Sequence, residues 1–127
     1  MRRNILSING NKPMNFLLQT VLSPRYNFTA VTDAYQGMNE LRRQDEVEAV
    51  IVDLDFHTQE NLDFIQHVKT SGLYQDTAVI VLTSNNNEYK DKIDATQVAN
   101  MFYKPFSPLD MLKSIDDLLY EKSSNVF

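Results

Sequence analysis

Four polar residues stand directly after short apolar runs: Asn9 after residues 5–8, Asp53 after residues 49–52, Thr83 after residues 78–82, and Lys104 after residues 100–103. A carboxylate, a hydroxyl and an ammonium gathered at one edge could hold a phosphoryl group. The carboxylate would serve as nucleophile, the hydroxyl as hydrogen-bond donor and the ammonium as counter-charge. Each residue has a plainer reading when taken alone. An Asp after a strand often caps a helix, Thr83 and Ser84 can be strand-end hydroxyls, Lys104 before a proline can be a surface turn, and Asn9-Gly10 reads equally well as a simple turn. The combination is more specific than its parts. His57 and His67 are too far apart to suggest a metal site and are expected on the surface.

For these four residues to meet, the apolar runs must lie side by side. Short apolar runs alternate with amphipathic segments along the chain, the pattern of parallel strands joined by crossover helices. Residues 5–8 form a first strand. Asn9-Gly10-Asn11 turns the chain and Pro13 suits the first turn of a helix carrying Met14, Leu17, Leu18, Val21 and Leu22. Residues 26–32 make a second strand. Asp33 and Gln36 resemble a capping box for a helix running to about Gln44, with Ala34, Met38 and Leu41 facing inward. Residues 49–52 are a fully apolar strand ending at Asp53, followed by a helix with Leu62, Ile65 and Val68 on one face. Residues 78–82 repeat that strand type, and Asn85-Asn86-Asn87 reads as a loop before a weakly patterned helix over residues 88–98. Residues 100–103 form a short last strand, of which at least one of Met101, Phe102 and Tyr103 should pack inward. Ser107-Pro108-Leu109-Asp110 opens a final helix with a stripe of Leu112, Ile115 and Leu119. The expected architecture is α/β: a doubly wound five-stranded parallel sheet of order 2-1-3-4-5. In such a sheet ligands bind beyond the carboxyl ends of the strands, where the four residues stand.

The chain has 127 residues, the size of one domain, and residues 1–127 are expected to form a single unit with a frayed tail from about 123. A net charge of −5 with scattered basic residues argues against a nucleic-acid partner. The absence of cysteine excludes a disulfide framework, a thiol nucleophile and cysteine-ligated metal, and fits a cytoplasmic setting. The longest apolar run is far short of the roughly 20 residues of a membrane helix, and the N-terminus lacks a secretory pattern. No membrane role is expected.

Val50-Ile51-Val52-Asp53-Leu54, Val79-Ile80-Val81-Leu82-Thr83-Ser84 and Lys104-Pro105-Phe106 resemble the strand ends of response-regulator receiver domains in two-component signalling. The resemblance spans almost the whole chain. It implies Asp53 as the phosphoacceptor position, Thr83 as the switch hydroxyl contacting the phosphoryl group, Lys104 as its pairing lysine, and a cis bond at Lys104-Pro105. It also implies a role in phosphorelay signal transduction through protein–protein contacts rather than as an enzyme. The implied partners are a histidine kinase or phosphotransfer protein and a downstream protein target.

The sequence departs from that pattern around one site. Receivers carry two acidic residues after the first strand, which with the phosphoacceptor hold a magnesium ion (Mg2+); this chain has Asn9 and Gly10. Loss of two carboxylates should leave magnesium weakly bound, with Asp53 and Asp55 as the remaining candidates. His57 and Asn61 replace the usual Pro and Gly of the following loop, and Met101 replaces the aromatic switch residue. The expectation is an atypical receiver in which Lys104 and Asp53 can pair with each other and phosphorylation at Asp53 is slow or absent, with a phosphate-independent pseudo-receiver docking module as the alternative. Two rivals fit less well. Val52-Asp53-Leu54-Asp55 also resembles the Asp-x-Asp nucleophile motif of haloacid-dehalogenase phosphatases. There, however, the motif ends the first strand of a longer chain, and a later acidic pair completes the metal site. Asp116-Asp117, the one later pair, falls inside the last helix. A flavodoxin-like cofactor binder would need a Gly-rich phosphate loop that this chain lacks.

Overall fold

A computed structural model describes residues 2–44, 46–84, 93 and 98–124. Its elements run β1 (Asn4–Ile8), α1 (Lys12–Leu22), β2 (Asn27–Val31), α2 (Ala34–Arg43), β3 (Ala49–Asp53), α3 (Thr58–Thr70), β4 (Ala78–Thr83), β5 (Asn100–Tyr103) and α4 (Pro108–Ser124). All five strands are parallel and lie in the order β2-β1-β3-β4-β5, the topology expected from the sequence. The helix expected over residues 88–98 lies almost wholly outside the described residues.

Strand alternation divides the core into two layers. Ile5, Ala49, Ile51, Ala78, Ile80 and Leu82 face one side of the sheet and pack under α1 and α4, against Leu18, Leu22, Met111, Ile115 and Leu119. Leu6, Ile8, Val50, Val52, Val79 and Val81 face the other and pack under α2 and α3, against Leu41, Phe64, Ile65 and Val68. Because β3 and β4 are buried on both faces, their sequences are apolar without alternation. Each buried Leu, Ile or Phe side chain contributes about 1.5–3 kcal/mol relative to exposure, so these two strands are the rigid frame of the sheet.

The helices start where the sequence places them. Asn11 caps α1 by accepting from the Met14 N–H at 3.1 Å, and Pro13 sits in the first turn. Asp33 accepts from the Gln36 N–H at 2.8 Å, while the Gln36 side-chain Oε1 accepts from the Thr32 N–H at 3.1 Å, a capping box displaced by one residue on its return arm. Ser107 caps α4 through the Asp110 N–H. Two details correct the reading of the helix faces. Leu17 points outward, and Asn15 takes the buried place beside Leu18 because its amide is needed at the end of β1. Met111 leads the buried stripe of α4, with Leu112 only half-buried. α4 runs to Ser124, and the rest of the tail expected from about 123 lies outside the described residues. Of the β5 residues, Phe102 packs against one layer and Met101 against the other, as the alternation requires. His57 and His67 are both exposed.

Two close approaches fix the α2 side and the β1 end. A β-carbon on Gly37 would stand 2.5 Å from Ile8 Cδ1, so glycine there lets α2 sit down on β1. A β-carbon on Gly10 would stand 2.9 Å from Phe56 Cβ and 3.1 Å from its Cγ, so the loop after β3 lies directly over the loop after β1.

Candidate functional site

Sheet register brings the predicted residues to one edge. Val52 pairs with Ile8 and Asp53 with Leu82, so Asn9 and Thr83 come next to Asp53 from either side, while Thr83 pairs with Tyr103 just before Lys104. The Lys104 N–H donates to the Thr83 carbonyl at 2.9 Å, and the Lys104-Pro105 bond is cis, as the resemblance implied.

Asp53 is completely buried. Its Oδ2 lies 2.5 Å from Lys104 Nζ, and its Oδ1 accepts the Asp55 N–H at 2.9 Å. The pairing of Lys104 with Asp53 expected from the sequence is therefore present, but the lysine has a second partner. Asp55 turns inward and places Oδ2 at 3.0 Å from Nζ. Asp55 Oδ1 accepts from Thr83 Oγ1 at 3.2 Å and from the Ser84 N–H at 3.0 Å, and Oδ2 receives the same N–H at 3.1 Å. One ammonium thus sits between two carboxylates, and the hydroxyl, the backbone N–H and the ammonium all converge on Asp55.

The electrostatics follow from that geometry. Burial pushes the Asp55 carboxyl up, but the Ser84 N–H and hydroxyl and the Lys104 ammonium outweigh it and hold the group below the usual carboxylate range. Burial likewise pushes Lys104 down, and the hydrogen bonds and charges of Asp53 and Asp55 reverse it, holding the ammonium above the usual lysine range. The Lys104 ammonium also lies 5.9 Å from the centre of the Phe56 ring, within cation–π range.

Amides, not charges, organise the β1 side. Asn9 is completely buried, and its Oδ1 accepts the Asn11 N–H at 2.8 Å. Asn15, reached from Ser7 Oγ at 2.8 Å, donates to the Asn9 carbonyl at 3.0 Å and to the Val31 carbonyl at 3.3 Å. Beneath the loop after β3, Asn61 donates to the Asp53 carbonyl and to the Phe56 carbonyl, each at 2.9 Å. That clamp accompanies a left-handed backbone at His57, with φ of 50° just before α3. Asn9 Nδ2 and Asn61 Oδ1 are buried without a hydrogen-bond partner among the described residues.

The donor set can be tested against a hard divalent cation, which wants several oxygen ligands and carries its waters with it. The Asn9 oxygen is engaged by Asn11, Gly10 brings no side chain, and Phe56 fills the space any β-carbon there would enter. Half of the charge that a metal would neutralise on Asp53 and Asp55 is already offset by Lys104, whose ammonium contacts both carboxylates. Among the described residues, no group of three or more His, Asp or Glu side chains is arranged to hold a metal. The residues present do not fit the magnesium site of the family the sequence resembles.

Sequence reasoning placed Asp53, Thr83 and Lys104 at the same edge and the structure brings all three together. It missed four contributors: the inward turn of Asp55, the Ser84 N–H, Phe56 over Gly10, and the Asn61 clamp. The Asp-x-Asp spacing was visible, but a residue past a strand end no longer follows the alternation that would give its direction. For Phe56 the single available signal was the glycine opposite it.

No family model matches this sequence, and no curated protein matches it either. Solved structures do. The signal receiver domain of an HD domain-containing protein from Pseudomonas fluorescens Pf-5 superposes with a TM-score of 0.84 at 23% identity, covering 98% of this chain and 99% of that one. The chemotaxis response regulator CheY4 of Vibrio cholerae gives a TM-score of 0.79 at 18% identity, with 92% and 98% covered. The Mn(2+)-bound form of response regulator Rcp1 gives 0.72 at 19% identity, with 91% of each chain covered. The likeness establishes the receiver fold.

Proposed function

We propose that this chain is a receiver-type signalling domain that acts through protein–protein contacts and does so without phosphate on Asp53. The observation that carries this reading is the internal pairing of the site, in which one ammonium is committed to two carboxylates. Asp53 is buried against Lys104, Asp55 takes the remaining donors, and the β1 side offers amides and an aromatic ring where phosphotransfer would need a cation. A phosphoryl group approaching Asp53 brings negative charge to two carboxylates that share one ammonium, and among the described residues no second ammonium or guanidinium contacts either carboxylate. Rcp1 is described with Mn(2+) bound; the corresponding chemistry in this chain would need a cation to displace Lys104.

The partners implied are proteins: a histidine kinase or phosphotransfer protein on the input side and a downstream target on the output side. The chain's net charge of −5 argues against nucleic acid. No helix of the described residues is long and apolar enough to cross a membrane, and a cytoplasmic signalling role suits the cysteine-free sequence. The surface of β5 and α4, where Leu109 is exposed, is the docking face nearest the site. The haloacid-dehalogenase reading loses its support in this fold. Asp53 ends the third strand, and Asp116 is engaged by Arg25 and Tyr26 on α4 rather than offered at the sheet edge.

The test is intact-mass detection of an acyl phosphate after incubation with magnesium and a small phosphodonor, using the native chain, Asp53→Asn, and a typical receiver as positive control. The expected result is labelling of the control alone. A single adduct on the native chain that disappears in Asp53→Asn would overturn the phosphate-independent reading and restore that of an ordinary phosphoacceptor.

A further inference from the structure

The donors at the sheet edge define an anion site, and their present acceptor belongs to the chain itself. Thr83 Oγ1 comes from the end of β4, the Ser84 N–H from the next residue, and Lys104 Nζ from the segment after β5. A hydroxyl, a backbone N–H and an ammonium converging on one point are the set that holds an oxyanion, whether a carboxylate or the equatorial oxygens of a phosphoryl group. All three meet the Asp55 carboxylate, at 3.2, 3.0 and 3.0 Å.

The backbone explains how Asp55 reaches them. Its N–H donates to Asp53 Oδ1 at 2.9 Å, closing an Asx-type turn directly after β3, and this turn swings the Asp55 side chain across the strand ends toward β4. Asn61 secures the same turn from below by holding the carbonyls of Asp53 and Phe56. A phosphoryl group joined to Asp53 would project its oxygens toward these same donors, because Lys104 Nζ is already in contact with Asp53 Oδ2. With Asp55 in place it would meet a second carboxylate there, and like charge beside an added phosphate is repulsive.

We propose that Asp55 is the resident ligand of an oxyanion site made by Thr83 Oγ1, the Ser84 N–H and Lys104 Nζ. It ties the end of β4 to the segment after β5 through these donors, and removing its side chain opens the site to inorganic phosphate. This rests on the reading of the domain as a receiver that works without phosphorylation, and it names the element that replaces the modification.

The experiment is an amide and ammonium NMR titration of the 15N-labelled full chain with inorganic phosphate, for the native protein, Asp55→Ala, and Asp55→Ala combined with Lys104→Met. In Asp55→Ala the Ser84 amide and the Lys104 ammonium should shift saturably, with phosphate bound roughly tenfold or more tighter than by the native chain, the loss expected when one charge-assisted hydrogen bond must be displaced. The native resonances should hold still over the same range, and the double variant should lose the response. Equal responses in native chain and Asp55→Ala, no response in Asp55→Ala, or a response surviving Lys104→Met would each overturn the proposal. Should Asp55→Ala fail to fold, hydrogen exchange of the Ser84 amide in the native chain decides. Strong protection supports a resident acceptor, and exchange at the rate of an open loop refutes it. Neither readout involves a protein partner, so failure of the docking reading and failure of this inference are distinguishable.

Discussion

Along a single sheet edge, the end of β1 and the ends of β3, β4 and β5 solve the same problem with different chemistry. Both are buried ends of parallel strands whose polar groups must be satisfied. At β1 this is done by neutral amides: Asn9 receives the Asn11 N–H, Asn15 bridges the Asn9 and Val31 carbonyls, and Phe56 closes over Gly10. At β3 to β5 it is done by charge, with Asp53 and Asp55 sharing Lys104 and the remaining donors assigned to Asp55. A buried ion pair holds together only while both partners remain, whereas an amide network carries no net charge to strand. The charged half depends on one internal cation, Lys104, shared by its two carboxylates, whereas the neutral half needs none because Phe56 and the amides fill the space after β1.

The most damaging way to break the charged half is Lys104→Met, which leaves Asp53 buried opposite a methionine with no counter-charge. Urea unfolding should show a loss of about 3–5 kcal/mol, the usual cost of leaving one member of a buried pair alone. A loss no greater than that of an exposed lysine would mean the two carboxylates do not depend on it. Next in size is the neutral half. Gly10→Ala forces a methyl group against Phe56 and should cost about 1–3 kcal/mol of overpacking. In a Phe56→Gly background, which removes the Cβ as well as the ring, the same change should be nearly free, and a double-mutant cycle with no coupling would contradict the contact. Asn61→Ala removes two donors that hold the turn after β3 and should cost about 1–3 kcal/mol. It should also loosen Asp55, so the Ser84 amide should exchange faster than in the native chain.

The smallest effect is a pH dependence. Asp55 has a carboxyl held below its ordinary range, so its contribution is fully present above the ordinary Asp pKa of about 3.9 and is lost as the pH falls through the lowered folded value. Lys104 is held above its ordinary range, so its contribution is present below about 10.4 and is lost as the pH rises through the raised folded value. Between those limits the stability gap between the native chain and Asp55→Asn should be flat, at about 1 kcal/mol, and it should close on the acid side. A gap that grows toward acid would reverse the sign and exclude the proposed role of the carboxylate.

Much of this was legible beforehand, for reasons that differ by region. The unbroken apolar runs of β3 and β4 demand burial on both faces, which in turn demands a parallel sheet between two helical layers. Asp53, Thr83 and Lys104 were legible because strand ends are where such a sheet gathers polar groups. Periodicity stops where the strand stops, so nothing in the sequence gave the direction of Asp55 or brought Phe56 over Gly10. Asn15 was hidden for another reason. It interrupts an apolar helix face, and its hydrogen bonds to the Asn9 and Val31 carbonyls explain why an amide is preferred to the neighbouring Leu17.

The most direct test of an internally paired, phosphate-independent site is the 1H–15N spectrum of the native chain before and after magnesium with a small phosphodonor. The account predicts a superimposable spectrum, with Ser84 and the β5 amides unmoved. Shifts that begin at Ser84 and Lys104 and spread through β5 into α4 would contradict it, because they would show a phosphoryl group displacing Asp55 and remodelling the docking face.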